Sequence, residues 1–275
     1  MTFILNDGTV LPDIGFGTYG LKGEMGVHAI VSALQNGYRL LDSAFNYENE
    51  GTVGEAIRQS KIKREEILVT SKLPGRYHAY DAALLTIQES LSRSGLDAFD
   101  IYLIHWPNPR EDKYVEAWRA LVEAKRRGLV KSIGVSNFLP EHIDRLIKET
   151  GVTPSLNQIE CHPSFNQIIS REYNTSKGIV TQAWSPLGRD TGILEHPLFK
   201  ELQIKYHKTP AQIVLRWELH LHVLPIPKSA TDIRQKENLD IFDFELESCD
   251  IQRINNLSNV FGRLKGQDPA IYQEF

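Results

Sequence analysis

Eight short apolar segments that alternate with helix-forming segments predict a (β/α)8 barrel for this 275-residue chain. Four of the segments, ILVTSKL, IYLIHW, SIGVSN and IVTQAW, are almost continuously apolar, as expected of parallel strands buried on both faces. Successive segments end 22 to 43 residues apart, which is room for a strand and a crossover helix. The predicted strand ends lie near Gly17, Asp42, Lys72, His105, Ser136, Gln158, Trp184 and Pro227.

A β-hairpin is predicted before the first strand of the barrel. The sequences FIL (residues 3–5) and TVL (residues 9–11) flank Asn6-Asp7-Gly8, which favours a tight turn. We expect this N-terminal hairpin to close the bottom of the barrel.

Apolar residues between the strands recur with the spacing of an amphipathic helix. Val27, Ile30, Val31 and Leu34 form one stripe, and Gly37 is placed to end that helix. Another stripe runs through residues 84, 87 and 91, and a third helix is predicted between a proline at 140 and a glycine at 151. Each interval between strands therefore predicts a crossover helix.

The longest interval, before the eighth strand, leaves room for an extra helix. Thr209 and Gln212 form a capping-box pattern around Pro210, which suits the first position of a helix. We expect further helices at the C-terminal end as well.

Composition indicates a single globular domain over residues 1–275. The chain is 41% hydrophobic and 24% charged, and its net charge of −4 gives no sign of a nucleic-acid or anionic-membrane partner. Two cysteines far apart in sequence fit a reducing compartment, and the N-terminus does not have the pattern of a signal peptide. No apolar run reaches the roughly 18–20 residues of a membrane helix. We therefore expect a soluble cytoplasmic protein.

The sequence GFGTYG at residues 15–20 offers an alternative, because it matches the glycine pattern of a Rossmann dinucleotide-binding fold. Asp42 follows Gly20 by 22 residues, near the spacing such a fold uses. However, two more glycines follow before the helical stripe begins, and a doubly wound sheet needs about six strands instead of eight. We favour a first loop whose glycines let the backbone approach a ligand.

Polar residues end several predicted strands, and the C-terminal strand ends of such a barrel carry the active site. Asp42, Lys72 and His105 end adjacent strands, and Tyr47 follows Asp42 by five residues. Taken singly, Asp42 suits a helix cap, Lys72 suits a solvent-exposed position and His105 suits a core histidine. Together they predict one cluster at the rim.

This cluster suits general-acid chemistry on a carbonyl group. A phenol has an ordinary pKa of about 10, and a nearby ammonium lowers it by about 1–3 units. We therefore expect Lys72, held by Asp42, to lower the pKa of Tyr47, and a neutral His105 to orient a substrate oxygen. None of these groups supplies electrons, so a cofactor must donate a hydride.

The sequence after the eighth strand suggests which cofactor. Lys228, Ser229 and Arg234 surround a predicted helix start, and the SPLGR loop adds Gly188 and Arg189. Two cations and a hydroxyl suit a phosphomonoester such as the 2′-phosphate of NADPH, although a solvated basic helix start is the alternative. Histidine and cysteine spacings do not suggest a metal, so no metal is expected.

Many stretches, in order, resemble the aldo-keto reductase family, and are most similar to the bacterial branch that includes 2,5-diketo-D-gluconate reductases. The resemblance covers nearly the whole chain. The matching stretches are GFGTYGL, LLDSAFNYENEGTVGEAI, TSKLPGRYH, IYLIHWPNP, GLVKSIGVSNF, NQIECHP, QAWSPLGR, IPKSATDIRQKEN and ENLDIFDFEL.

The resemblance implies a role for each matching residue. Asp42, Tyr47, Lys72 and His105 correspond to the family's catalytic tetrad, with Tyr47 as the proton donor in reduction by NADPH. The implied cofactor-binding residues are Gly17, Thr18, Asp42, Ser136, Asn137, Gln158, Trp184, Ser185, Leu187, Gly188, Lys228, Ser229, Arg234, Glu237 and Asn238. The implied walls of the substrate pocket are Tyr19, Phe45 and Trp106.

The resemblance leaves the substrate and the assembly open. Ser43 stands where threonine is common, and the segment after Leu257 is shorter than the substrate-gripping loops of the mammalian enzymes. Small carbonyls, keto-sugars and α-dicarbonyls all remain candidates, and we expect a monomer or a weak homo-oligomer. The rival function is an NADP(H)-sensing binding module with little turnover.

Overall fold

The computed structural model describes residues 2–275 and contains one eight-stranded parallel sheet with helices around it. The strands follow one another around the sheet in chain order, each hydrogen-bonded to the next. This order confirms the predicted (β/α)8 barrel and excludes a Rossmann fold. The strands are β3 (Phe16–Gly17), β4 (Leu40–Asp42), β5 (Leu68–Leu73), β6 (Phe99–Ile104), β7 (Val130–Ser136), β8 (Leu156–Glu160), β9 (Val180–Trp184) and β10 (Val223–Pro225).

Two backbone hydrogen bonds join the first barrel strand to the region of the last. The Gly15 N–H donates to the Pro225 carbonyl at 2.9 Å, and the Gly17 N–H donates to the Pro227 carbonyl at 3.0 Å. The sheet is thus closed, and no edge is left unpaired at this seam. The strand ends differ from the predicted ones by at most two residues, a normal uncertainty for element boundaries.

The predicted hairpin is formed by β1 (Phe3–Ile4) and β2 (Val10–Leu11), which pair antiparallel. It packs where the barrel strands begin: Asn6 donates to the Pro154 carbonyl, and the Thr9 hydroxyl lies 2.9 Å from the Ser132 hydroxyl. The hairpin therefore covers the end of the barrel opposite the polar strand ends, as predicted.

Ten α-helices surround the sheet in the described part of the chain. Gly37 ends the first one at φ 114°, a left-handed conformation that favours glycine. Thr209 and Gln212 form the predicted capping box on the helix that starts at Pro210. The helices are α1 (Gly23–Asn36), α2 (Glu50–Ser60), α3 (Tyr80–Ser94), α4 (Tyr114–Arg126), α5 (Pro140–Thr150), α6 (Ile168–Ser176), α7 (Pro197–Tyr206), α8 (Pro210–His220), α9 (Asp232–Leu239) and α10 (Ser248–Asn255).

Helices α7 and α8 both lie between β9 and β10, so the extra helix predicted before the eighth strand is present. Apolar side chains from strands and helices form one large buried core, including Phe16, Tyr102 and Trp118. A second, smaller buried cluster centres on Phe199 and Trp217, where α7, α8 and α10 pack together. Within residues 2–275, no helix has the length and hydropathy needed to cross a membrane.

Candidate active site

The ends of β4 and β5 bring Asp42 and Lys72 together, as predicted from the sequence. The Lys72 ammonium donates to both carboxylate oxygens of Asp42, at 2.9 and 2.8 Å, and to the Ser43 carbonyl at 2.8 Å. Its side chain is fully buried, and that of Asp42 is nearly so. The Lys72 Nζ also lies 3.4 Å from the Tyr47 hydroxyl. An acid, a cation and a phenol thus form one chain of contacts.

A short 3-10 helix at Phe45–Tyr47 places the phenol over the end of β5. Asn49, just beyond it, is buried and donates to the backbone carbonyls of Thr18 and Leu21. The Ser43 hydroxyl donates to the Asn49 side chain at 2.7 Å. These bonds tie the loop after β4 to the loop after β3, so Tyr47 stands on an anchored turn.

The pKa of Tyr47 differs from the sequence-based expectation. Burial raises the pKa of this phenol, and the neighbouring Lys72 lowers it by less, so the pKa lies above its ordinary value. For Lys72, burial lowers the pKa but the charge of Asp42 more than compensates, so the ammonium stays charged. The prediction of a lowered Tyr47 pKa was wrong because sequence cannot measure the cost of burying a phenolate. At neutral pH the hydroxyl keeps its proton.

His105, directly after β6, lies beside Tyr47 with the ring centroids 5.9 Å apart. Its Nδ1 is buried and lies 2.6 Å from the Oε1 of Glu274, a residue that sequence reasoning missed. The oxygen is at ion-pair distance but off the N–H direction, so this contact is not a linear hydrogen bond. All four predicted tetrad residues therefore meet at one rim, with a fifth charged group behind the histidine.

A groove runs from the Tyr47 hydroxyl toward Lys228 and encloses a cavity of about 390 Å³. Gly17 forms part of its floor, where a Cβ would come within 3.2 Å of the Ile226 carbonyl oxygen. The Ser185 hydroxyl is buried there and has no hydrogen-bond partner among residues 2–275. A floor without side chain and an unpartnered buried hydroxyl fit a bound elongated cofactor. Other predicted residues lining this groove are Asp42, Trp184 and Leu187.

The residues predicted to hold the nicotinamide carboxamide lie next to the tetrad. Gln158 donates its amide to Asp42 Oδ1 at 2.7 Å, and the Ser136 hydroxyl donates to the Gln158 carbonyl. Asn137 adopts a left-handed backbone conformation at φ 62° and accepts a 2.7 Å hydrogen bond from the Trp184 indole N–H. Trp184 therefore stands fixed at the junction of the groove and the tetrad.

The predicted phosphate-binding residues lie at the far end of the groove around the start of α9. Lys228 and Arg234 are exposed, while the Ser229 hydroxyl donates to the Thr231 carbonyl. Glu237 accepts a hydrogen bond from Thr209, so its carboxylate is already engaged. The remaining predicted cofactor residues are Thr18, which is buried and donates to the Asp42 carbonyl, Gly188, which has a φ of 69°, and Asn238, which is buried in α9.

A second cavity, of about 350 Å³, opens on the other side of Tyr47. Tyr19 and Trp106 line it, in agreement with their predicted place in the substrate pocket. Phe45 does not: it lines a separate cavity with Arg93, whose guanidinium lies 4.0 Å from the Phe45 ring centroid. Successive side chains of the 3-10 helix point in different directions, so Asn46 lines the second cavity and Phe45 faces away from it.

Several lining residues were not found from the sequence. The segment 264–275 contributes Lys265, Gln267, Tyr272 and Glu274 to the second cavity. Tyr272 packs on Trp106 with ring centroids 4.5 Å apart. Apart from a short 3-10 helix this segment has no regular structure, so no periodic pattern in the sequence marks it.

Comparison with known proteins agrees with this geometry. The aldo/keto reductase family is matched over residues 13–259. The chain is 48% identical to 2,5-diketo-D-gluconic acid reductase B of Corynebacterium sp. (strain SHS752001), over 99% of this chain and 98% of that protein. It is 43% identical to methylglyoxal reductase DkgA of Escherichia coli (strain K12), over 96% of this chain and 95% of that protein.

Solved structures lead to the same family. A crystal structure of a Gox0644 mutant in complex with NADPH superimposes with a TM-score of 0.94 at 39% identity, covering 99% of this chain and 98% of that one. The chain belongs to the aldo/keto reductase family. NADPH-dependent reduction of a carbonyl compound is accordingly its reaction, and the predictions of family, reaction and cofactor are confirmed.

Proposed function

We propose that Tyr47 is the proton donor of this reductase and that Asp42, Lys72 and His105 position and polarise the reacting groups. The observation that carries this assignment is the place of the Tyr47 hydroxyl. It lies 3.4 Å from the Lys72 ammonium, and Tyr47 lines both the groove and the second cavity. A carbonyl bound in the second cavity therefore has its oxygen near the phenol and its carbon toward the groove.

Each residue of the cluster has a distinct task. NADPH, when bound, supplies the hydride that adds to the carbonyl carbon. Tyr47 then gives its proton to the oxygen as negative charge develops there, and the Lys72 ammonium stabilises the phenolate that remains. Asp42 keeps Lys72 charged and directed at the phenol. His105 lines the same cavity and hydrogen-bonds the carbonyl oxygen, which holds it within reach of Tyr47.

The groove residues propose how the cofactor is held. Trp184 stacks on the nicotinamide ring, and Ser136, Asn137 and Gln158 contact its carboxamide. Gly17 and Ser185 line the middle of the groove. At the far end, exposed cations surround the site proposed for the 2′-phosphate, which supports a preference for NADPH over NADH. The residues proposed to lie around that phosphate and the adenine are Lys228, Ser229, Arg234, Glu237 and Asn238.

We further propose that the preferred substrates are small carbonyl compounds with an anionic group, such as keto acids. Arg189 and Lys265 line the second cavity, and no carboxylate in residues 2–275 lies within 4.0 Å of either cation. Arg189 instead lies over the Tyr19 ring, 5.1 Å from its centroid. Two cations without an acidic partner favour a substrate carboxylate. A relative with a diketo acid in its name supports this class.

A matched pair of aldehydes tests the substrate class. With NADPH, 4-carboxybenzaldehyde should have a lower KM than its neutral methyl ester, and Lys265→Met should raise only the KM of the acid, by roughly tenfold for a loss of about 1.4 kcal/mol. Lys236→Met, an exposed lysine of α9 paired with Asp232, is the control. Equal KM values for the two aldehydes would exclude a carboxylate-binding role for these cations.

The remaining features are proposed on weaker support. The chain is proposed to work as one domain, as a monomer or weak homo-oligomer, and to act on CH–OH donors with NADP⁺ in the reverse direction. A cytoplasmic location fits the two cysteines, neither of which is in a disulfide. A sensing module without turnover is not favoured, because the complete tetrad faces a cavity.

A further inference from the structure

A buried carboxylate behind His105 has no role in the mechanism described so far. Glu274 belongs to the segment 268–275, which crosses the rim beside β6. Its side chain is 8% exposed, and its backbone is fixed before the side chain reaches any group. The Glu274 N–H donates to Asn108 Oδ1 at 3.0 Å, and the Asn108 amide donates back to the Glu274 carbonyl at 2.7 Å.

Both oxygens of the Glu274 carboxylate are engaged inside the protein. Oε1 accepts from the Asn46 amide at 2.7 Å and lies 2.6 Å from His105 Nδ1. Oε2 accepts from the Gly75 N–H at 3.0 Å. Burial raises the pKa of Glu274, but His105 and these donors outweigh burial, so the pKa lies below its ordinary value. The carboxylate is therefore ionised at neutral pH.

A carboxylate at Nδ1 decides which hydrogen-bonding form the imidazole presents to the cavity. It favours a proton on Nδ1, and a neutral ring with that proton has only a lone pair on Nε2. Nε2 is the nitrogen left toward the cavity, and it can donate to a carbonyl oxygen only if the ring carries both protons. The expected neutral donor, with its proton on Nε2, is thus the form that Glu274 disfavours.

We propose that Glu274 is a positioning residue that holds His105 as an imidazolium, with Nδ1 against the carboxylate and Nε2–H directed at the substrate oxygen. This rests on the proposed function for the role of His105. The other titratable or charged groups around the pair or the cavity they share are Tyr47, Lys72, Arg76, His78, Arg189 and Lys265.

The variant Glu274→Gln tests the proposal, because it removes the charge and keeps the size of the side chain. The first readout is the ¹⁵N NMR shifts of the His105 ring in the protein without ligands, assigned with His105→Gln. An opposite charge this close shifts a titration by about 1–3 units, so the His105 midpoint should fall by about 1–3 pH units in Glu274→Gln. Asp268→Asn, which removes an exposed acid from the same segment, is the control and should leave the midpoint unchanged.

Steady-state kinetics provide the second readout. The alkaline limb of kcat/KM for aldehyde reduction should move to lower pH in Glu274→Gln by the same amount, while Asp268→Asn keeps the wild-type profile. An identical His105 midpoint in wild type and Glu274→Gln, or a proton found on Nε2 alone at pH 7, would overturn the proposal. Neither result depends on turnover, so the role of Tyr47 is tested separately.

Discussion

Loss of the Lys72 ammonium should destabilise the fold as well as stop the reaction. Lys72 is fully buried and makes two hydrogen bonds to Asp42. In Lys72→Met the Asp42 carboxylate keeps the 2.7 Å hydrogen bond from Gln158 but loses its buried countercharge. Removing one partner of a buried ion pair costs about 3–5 kcal/mol, a large part of the roughly 5–15 kcal/mol that stabilises a typical domain.

The double variant separates the buried charge from the other effects of the substitution. Asp42→Asn in the Lys72→Met background removes the unpaired charge and keeps an acceptor for the Gln158 amide. The double variant should therefore recover about 2 kcal/mol relative to Lys72→Met, leaving the cost of the lost hydrogen bonds at about 1 kcal/mol each.

Urea unfolding followed by tryptophan fluorescence measures these differences. Lys131→Met is the matched control, because Lys131 is exposed and its partner Asp100 is also bound by Arg64. Its cost should stay within about 1 kcal/mol. If Lys72→Met lost less than about 1 kcal/mol, or if the double variant were no more stable than it, the buried ion pair would not have the energetic role assigned here.

Three further changes test other parts of the account. Gly17→Val should weaken NADPH binding at least about tenfold in a fluorescence titration, because its Cβ would meet the Ile226 carbonyl oxygen at 3.2 Å and the side chain would fill the groove; unchanged binding would contradict the groove assignment. Arg234→Ala should raise the Kd of NADPH by about ten- to a hundredfold and leave that of NADH unchanged, whereas equal effects on both would contradict the 2′-phosphate site. Burial lowers the pKa of His78 to about 4, so the unfolded chain binds the extra proton between pH 6.5 and 4; the free energy of unfolding should fall by about 3 kcal/mol more over this range than in His78→Gln, and equal slopes would refute this.

The fold and the tetrad were predictable because their signals are local. Strand-length apolar segments end in polar residues, and adjacent parallel strands bring Asp42, Lys72 and His105 to one rim. The hairpin and the capping box at Thr209 follow equally from short sequence patterns. The resemblance to a family then added roles that spacing alone left open.

The features that were missed depend on contacts distant in sequence or on burial. Glu274 reaches His105 from a segment without a periodic pattern, so no local signal pairs them. The direction of Phe45 depends on the turn of a three-residue helix, and the raised pKa of Tyr47 depends on how far the fold excludes water from the phenol. None of these is encoded in the spacing of residues along the chain.

The role of Tyr47 is tested most directly by Tyr47→Phe, which removes only the hydroxyl that donates the proton. Single-turnover reduction of a probe aldehyde by the NADPH-loaded variant should be slower by about 10²–10⁴-fold, the usual contribution of a general acid. NADPH affinity and the free energy of unfolding should stay close to wild type, since the Tyr47 hydroxyl makes only a long 3.4 Å contact to Lys72. Single-turnover reduction at the wild-type rate would contradict the assignment of Tyr47 as the proton donor.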